Sequence, residues 1–404
     1  MQIKTDKEII ERILQKGVEQ ILPSEDALRK LLESGKRIKI YQGFDPTADT
    51  LHIGHSVGMR KLEDFRKLGH HVIFLIGDFT ARIGDPSDKT SVRQMLTKEE
   101  VKKNMQLYVE QASKILDINN KENPVEVLYN SEWLEKLNFG DIIKLASKFT
   151  VQQMIKRDMF QKRLERNKPI YLNEFLYPVM QGYDCVVMNI DVEVGGNDQL
   201  FNMLAGRDLI MSELGKEKIV LAGKLLTTTD GVKMGKTEGN MIKMNDKAQD
   251  IFGKVMAFTD EMIIDAFETL TFATMEQVEE YKKRLQSGEN PMILKKELAL
   301  KVTSEITTEK EAKEAQEYFE SVFQNQNKEV EIATKKISQE KILLNDLLVE
   351  IGFATSKSQA KRLIEQGAVK IDDKKIIQYD YPVNSSQPLN LRVGRKVCKI
   401  THKA

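Results

Sequence analysis

Residues 37–76, RIKIYQGFDPTADTLHIGHSVGMRKLEDFRKLGHHVIFLI, decide the fold. Residues 37–41 read as a strand, the Gly43 to Thr47 stretch as a turn, and the histidine-bearing run that follows as a helix that ends where Gly69 stops it. Residues 70–76 form a second apolar strand closed by Gly77. Strand, turn, helix and strand in that order make a βαβ unit. A parallel sheet follows, with its ligand at the C-terminal ends of the strands. His52 and His55 are two of only five histidines. Their i, i+3 spacing predicts both rings on one helix face, with Gly54 leaving the backbone bare between them.

Working outward, residues 125–129 and 185–189 read as further strands, and residues 141–164 as a long helical pattern inside a crossover too long for an ordinary loop. Residues 247–257, 260–269, 274–286 and 291 to about 323 are helical. A polar stretch beginning at Phe323 reads as a linker. The expected organisation is a Rossmann-like α/β domain over 1–232 with a helical insertion at about 115–190, then an α-helical domain over 233–325. A linker over 326–340 and a small α+β module over 341–404 complete it.

The 404 residues exceed one ordinary core, and with 41% hydrophobic and 30% charged residues they suit a globular protein. The net charge of +1 hides an asymmetry, because residues 341–404 hold 12 Lys and Arg against 6 Asp and Glu. A basic tail on a mildly acidic body is the footprint of an appended polyanion binder. Cys185 and Cys398 lie far apart without metal-ligand spacing, which excludes a disulfide framework and a zinc site as organising devices. No apolar run approaches a membrane span, and the N-terminus reads as a charged amphipathic helix, so a cytoplasmic location is expected.

Four further segments carry chemistry. In the turn from Tyr41 to His52, backbone N–H groups and the helix dipole would face a phosphate, with His52 and His55 adding donors. The turn from Gly77 to Arg93 combines Asp85, suited to an ammonium group, with Lys89 and Arg93, suited to pyrophosphate. Lys233 and Lys236 flank Gly235 in a polar loop able to close cations over polyphosphate. Tyr177, Gln181 and Asp184 fall at i, i+4 and i+7, a polar stripe on an otherwise apolar helix that suggests a polar pocket. The run Gly195, Gly196, Asn197, Asp198, Gln199 is a glycine-rich turn opening a helix, suited to a ribose hydroxyl.

The pair LHIGH and KMGKT, in this order and separation, resembles the HIGH and KMSKS signatures of class I aminoacyl-tRNA synthetases. With GFDPTADTLHIGH, the Asp85 turn, the polar stripe and GGNDQ, nearly the whole chain is similar to the bacterial tyrosyl-tRNA synthetases. Gly235 and Thr237 depart from the loop consensus while leaving both lysines intact. The resemblance implies tyrosine-hydroxyl contacts at Tyr41 and Asp184 and ammonium contacts at Asp85, Tyr177 and Gln181. It puts Asp45 and Gln199 near the substrate carboxylate and α-phosphate, Asp198 on the ribose and Gly54 beneath the adenosine. Thr47, His52, His55, Lys89, Arg93, Lys233, Lys236 and Thr237 would meet the phosphates. It also implies ATP as a substrate with Mg2+, no tightly bound cofactor, and a homodimer joined through the inserted segment at about 141–164. The tail resembles an S4-type RNA-binding module with Lys357, Lys361 and Arg362 toward tRNA(Tyr). A tryptophan enzyme, a small nucleotidyltransferase and a noncatalytic RNA-binding derivative are the competing readings. Tyr41 and Asp184 suit a phenol, the C-terminal extensions exceed a nucleotidyltransferase, and both histidines and both loop lysines are retained.

Overall fold

The computed structural model describes residues 2–87, 95–227, 241–323, 334–337, 339–372, 374–384, 386, 388–394 and 396–402. They fall into two compact units, Met1–Phe319 and Glu320–Ala404. The first is built on a six-stranded sheet of β1 (Val18–Leu22), β2 (Lys39–Phe44), β3 (His71–Ile76), β4 (Glu126–Tyr129), β5 (Val192–Gly196) and β6 (Ile219–Gly223). Their spatial order is β1-β6-β5-β2-β3-β4. All neighbours are parallel except β1, which closes the β6 edge antiparallel.

Side chains alternate across this sheet, and both faces are covered. Ile40, Phe44, Val72, Phe74 and Ile76 pack in one core with Met59, Leu62 and Phe65 of the helix Ile53–Lys67. Tyr41, Ile73 and Leu75, the intervening positions, pack instead with Cys185 and Met188 of the helix Leu172–Met188 and Ile210 of the helix Leu200–Leu214. Burial on both faces explains why these strands read as near-continuous apolar runs. β2 connects onward to β3 on one side, while β5 lies on its other side. The strand order therefore reverses between β2 and β5, the place where open α/β sheets bind ligands.

The structure makes three local corrections. Residues 185–188 are not a strand: they finish the helix Leu172–Met188, which ends at Asn189 with a left-handed φ of 52°. A short apolar run carries no period that separates a strand from a buried helix end. The pattern over 141–164 is three helices, Phe139–Ala146, Val151–Ile155 and Asp158–Glu165, because Thr150 caps a new start with its side chain accepting from the Gln153 N–H. β1 and β6 went unpredicted. The helices Ala248–Met256, Met262–Leu270 and Pro291–Ile306 place Ile251, Phe252, Phe267, Leu298 and Val302 in the same core as the sheet.

The second unit holds a five-stranded sheet, a two-stranded sheet and the helices Leu344–Glu350 and Lys357–Glu365 around Leu347, Leu348, Ile364, Val369, Leu391 and Ile400. Among the described residues no helix is long and apolar enough to cross a membrane.

Candidate active site

A cavity of about 410 Å³ opens at the C-terminal ends of the parallel strands. Each parallel strand delivers a group to it through the residues that follow: Asp45 and Thr47 after β2, Thr80 after β3, Asn130 after β4, Asp198 and Gln199 after β5, and Lys224 after β6. Tyr41, Gly54, His52, His55, Asp85, Tyr177, Gln181 and Asp184 line it too, so every expected site residue of the first unit that is described meets in one place. Lys89 and Arg93 fall in 88–94, and Lys233, Lys236 and Thr237 in 228–240; all five lie outside the described residues. Leu226 and Met241, on either side of 228–240, both line the cavity. The chain leaving that segment is pinned beside the histidines, with Ile53 N donating to Ile242 O at 2.9 Å and Met244 N to Leu51 O at 2.9 Å.

His52 is not inside the helix as the spacing implied. It is the N-cap, with extended backbone (φ −120°, ψ 166°), and His55 occupies the first turn. The two rings still stack, centroids 3.8 Å apart. His55 Nδ1 accepts the His52 backbone N–H at 3.1 Å. Because that nitrogen accepts, a neutral His55 carries its proton on Nε2 and is a donor there. The helix N-terminus adds its positive dipole end to the same spot.

At the other end of the cavity, carboxylates fix which way each polar group points. Tyr177 Oη donates to Asp45 Oδ2 at 2.8 Å, and Thr80 Oγ1 to Asp45 Oδ1 at 2.7 Å. Gly77 is required here, since a Cβ would run into Asp45 Oδ1 and Thr80 Oγ1. Gln181 Nε2 donates to Glu193 Oε1 at 2.8 Å, and Tyr41 Oη to the same oxygen at 2.6 Å. Gln199 Nε2 donates to Asp85 Oδ2 at 2.6 Å, and Ser87 N to Asp85 Oδ1 at 2.9 Å. A carboxylate only accepts, so these bonds leave Tyr177 Oη and Gln181 Oε1 with acceptor capacity. Together with Asp85 that makes three acceptors, the complement of an ammonium's three donors.

Asp184 is 2% exposed. Trp133 Nε1 donates to its Oδ1 at 2.7 Å and Asn130 Nδ2 to its Oδ2 at 3.1 Å. Burial pushes its carboxyl well above the usual range, and these two donors oppose that shift. Burial holds the Tyr41 and Tyr177 hydroxyls well above their ordinary values, so both stay protonated. Asp198 is pushed up to about 6 by burial and then by the charge of Asp85.

Sequence reasoning missed Glu193, Lys218, Asn130, Trp133, Thr80 and Arg157. Glu193 interrupts an apolar strand and Lys218 directly precedes another, a signal that was present. Arg157 Nη2 donates to Ser87 Oγ at 2.6 Å and its guanidinium lies 4.6 Å from the Phe201 ring centroid. It ties the insertion to the Asp85 turn, a contact no local pattern announces. In the second unit Lys357, Lys361 and Arg362 are exposed on one short helix, with Lys357 Nζ 2.6 Å from Asp346 Oδ1 and Lys361 Nζ 4.7 Å from the Tyr379 ring centroid.

Residues 33–324 match the family of tRNA synthetases class I (W and Y), and residues 323–393 match the Tyrosine--tRNA ligase SYY-like C-terminal domain. The chain is 45% identical over 388 residues to a tyrosine-tRNA ligase of Thermotoga maritima, covering 95% of each chain. It is 42% identical over 407 residues to one of Carboxydothermus hydrogenoformans, covering 98% of this chain and 97% of that one. Its fold matches a C-terminally truncated mitochondrial tyrosyl-tRNA synthetase of Aspergillus nidulans, with a TM-score of 0.66 at 21% identity, over 79% of this chain and 95% of that one.

Proposed function

The chain belongs to the tyrosine-tRNA ligase family of class I tRNA synthetases, and we propose that its cavity seats tyrosine and ATP end to end. It activates tyrosine with ATP, releasing pyrophosphate, and transfers the tyrosyl group from the adenylate to the 3′ end of tRNA(Tyr). The observation that carries the site assignment is the convergence of Asp184, Tyr41, Tyr177, Gln181, Asp85, Asp198 and both histidines on one cavity at the strand C-termini.

In this reading the phenol hydroxyl meets Asp184 and Tyr41, and the ammonium takes Asp85, Tyr177 Oη and Gln181 Oε1. Asp45 and Gln199 lie toward the substrate carboxylate and α-phosphate, Asp198 binds the ribose, and Gly54 leaves room for the adenosine. Thr47, His52 and His55 face the phosphates, with Lys89, Arg93, Lys233, Lys236 and Thr237 closing over the pyrophosphate. Adenylate formation is an in-line attack of the tyrosine carboxylate on the α-phosphate. Positioning and charge stabilisation accomplish it without a covalent enzyme intermediate. Mg2+ enters with ATP as its counter-ion, and the exposed cations Lys357, Lys361 and Arg362 take RNA backbone. The cytoplasm, where charged tRNA is consumed and the unpaired Cys185 and Cys398 stay reduced, is the compartment assigned. Pyrophosphate exchange into ATP, run across all twenty amino acids, tests the reading: exchange with tyrosine alone is expected, and exchange with tryptophan instead overturns it.

The partner is a second copy of the chain, joined through the insertion. Phe139 (77% exposed), Val151 (70%) and Leu172 (83%) stand in solvent within this one segment. Large apolar side chains exposed within one segment call for cover, and a twofold contact supplies it. Leu172→Lys combined with Val151→Lys is expected to yield monomers by light scattering at micromolar concentration, where the parent scatters as a dimer.

A further inference from the structure

Beneath the tyrosine end of the cavity lies a buried charge pair that the proposed reaction does not use. Lys218 is 0% exposed and its Nζ forms an ion pair with Glu193 Oε2. The ammonium also donates to Met203 O at 2.9 Å and lies 3.4 Å from Cys185 Sγ. The helix Leu200–Leu214 makes room for it with Gly206, where a Cβ would come within 2.6 Å of Lys218 Nζ and 2.7 Å of Cys185 Sγ. Burial works against the ammonium, but the Glu193 carboxylate outweighs it and keeps Lys218 charged. A buried ion pair is poor value as stabilisation, since an apolar pair of equal volume serves as well. Its use has to be sought in what it orients.

What it orients is Tyr41. Glu193 Oε1 accepts from Tyr41 Oη at 2.6 Å and from Gln181 Nε2 at 2.8 Å, while Oε2 is committed to Lys218. Lys218 has no acceptor, so the carboxylate cannot turn the arrangement round. Cys185 Sγ, 3.0 Å from Tyr41 Oη, takes at most one of that oxygen's two lone pairs. Burial favours a protonated Asp184, but an N–H donated to each of its oxygens, from Trp133 and from Asn130, is the pattern of a carboxylate, which keeps a further acceptor site on each oxygen.

We propose that Glu193, held by Lys218, accepts the Tyr41 hydroxyl hydrogen bond and so presents Tyr41 and Asp184 to the substrate ring as a pair of acceptors. Glu193 is then a positioning residue for substrate choice, in a pocket that takes tyrosine as its amino acid. A phenol brings one hydrogen to two acceptors. An aromatic amine brings two. The pocket therefore suits a para substituent by the hydrogens it donates, and 4-aminophenylalanine satisfies both acceptors where phenylalanine satisfies neither.

The test is tyrosine-, phenylalanine- and 4-aminophenylalanine-dependent pyrophosphate exchange by the full-length protein and two variants. The parent is expected to activate 4-aminophenylalanine far better than phenylalanine. In Glu193→Gln, Lys218 draws the amide oxygen, which turns Nε2 toward Tyr41 and returns the phenolic proton to the pocket. The kcat/KM ratio of 4-aminophenylalanine to tyrosine is expected to fall about fivefold, one neutral hydrogen bond's worth, with the KM for ATP unchanged. Tyr41→Phe keeps the volume, removes the oxygen, and is expected to lower the same ratio by a similar factor; it decides the matter if Glu193→Gln does not fold. A purely structural pair lowers both substrates together, so an unchanged ratio in a folded variant overturns the proposal. A parent that exchanges with tyrosine but treats 4-aminophenylalanine as it treats phenylalanine overturns it too. A parent with no tyrosine exchange overturns the substrate reading on which it stands.

Discussion

At the end of the cavity proposed to take the phenol, Asp184, Glu193 and Tyr41 are almost fully buried, and each is bonded to named neighbours. At the phosphate end, two stacked histidines and a helix N-terminus stand at the rim, and the four cations assigned there lie in 88–94 and 228–240. The two ends are proposed to supply their charge at different stages of the reaction. Groups that recognise the ground state are best fixed in advance, because a buried polar atom without a partner is costly. Cations that stabilise a departing pyrophosphate act only as charge separates, so their energy appears in the rate and not in substrate affinity.

The largest expected effect sharpens that contrast at the phosphate end. Lys236→Ala is expected to raise the barrier to adenylate formation by about 2 to 4 kcal/mol, the range for removing one transition-state donor. Single-turnover measurements should show the loss in the rate, with tyrosine affinity unchanged. Equal loss in both would break the division of labour between the two ends.

The next effect belongs to the phenol end and has the opposite signature. Asp184→Ala removes an acceptor and strands the Trp133 Nε1–H and Asn130 Nδ2 donors. Leaving a buried partner unsatisfied costs about 1 to 3 kcal/mol, so kcat/KM for tyrosine should fall by that much and the preference over phenylalanine should narrow. Retained preference in a folded variant would place phenol recognition elsewhere in the cavity.

The contrast also explains what the sequence disclosed. The βαβ unit was legible because an alternating strand, a turn and a glycine-stopped helix are local signals, and the stripe of Tyr177, Gln181 and Asp184 was legible because helical spacing is local too. Partnership across the sheet was not. Nothing near Tyr41 says that Glu193, 152 positions later, accepts its hydrogen bond. Nor does any pattern near Asp184 name Trp133 as its donor. His52 was placed on a helix face from its spacing alone, whereas its extended backbone makes it the cap. Residues 185–188 were misread because burial on every side erases the periodicity that tells strand from helix. Acceptors and cations could be picked out from residue type. Polarity, meaning which group donates to which, needed the fold.

The smallest effect lies at Asp198, between the two ends, where pH does the work of a mutation. Burial and the neighbouring Asp85 raise its carboxyl to about 6, so it ionises within reach of ordinary assay conditions. The shift is upward, so the charged form predominates above pH 6 and is lost as the pH falls through it. In the proposed reading a ribose hydroxyl donates to the carboxylate, and protonation removes part of that acceptor capacity. The KM for ATP is therefore expected to rise about twofold to tenfold below pH 6, one hydrogen bond's worth, while the KM for tyrosine stays level over the same interval. Asp198→Asn should show the raised KM for ATP at every pH and no step near 6. If the step survives in that variant, the titrating group is another one, and the proposed contact between Asp198 and the ribose loses its pH signature.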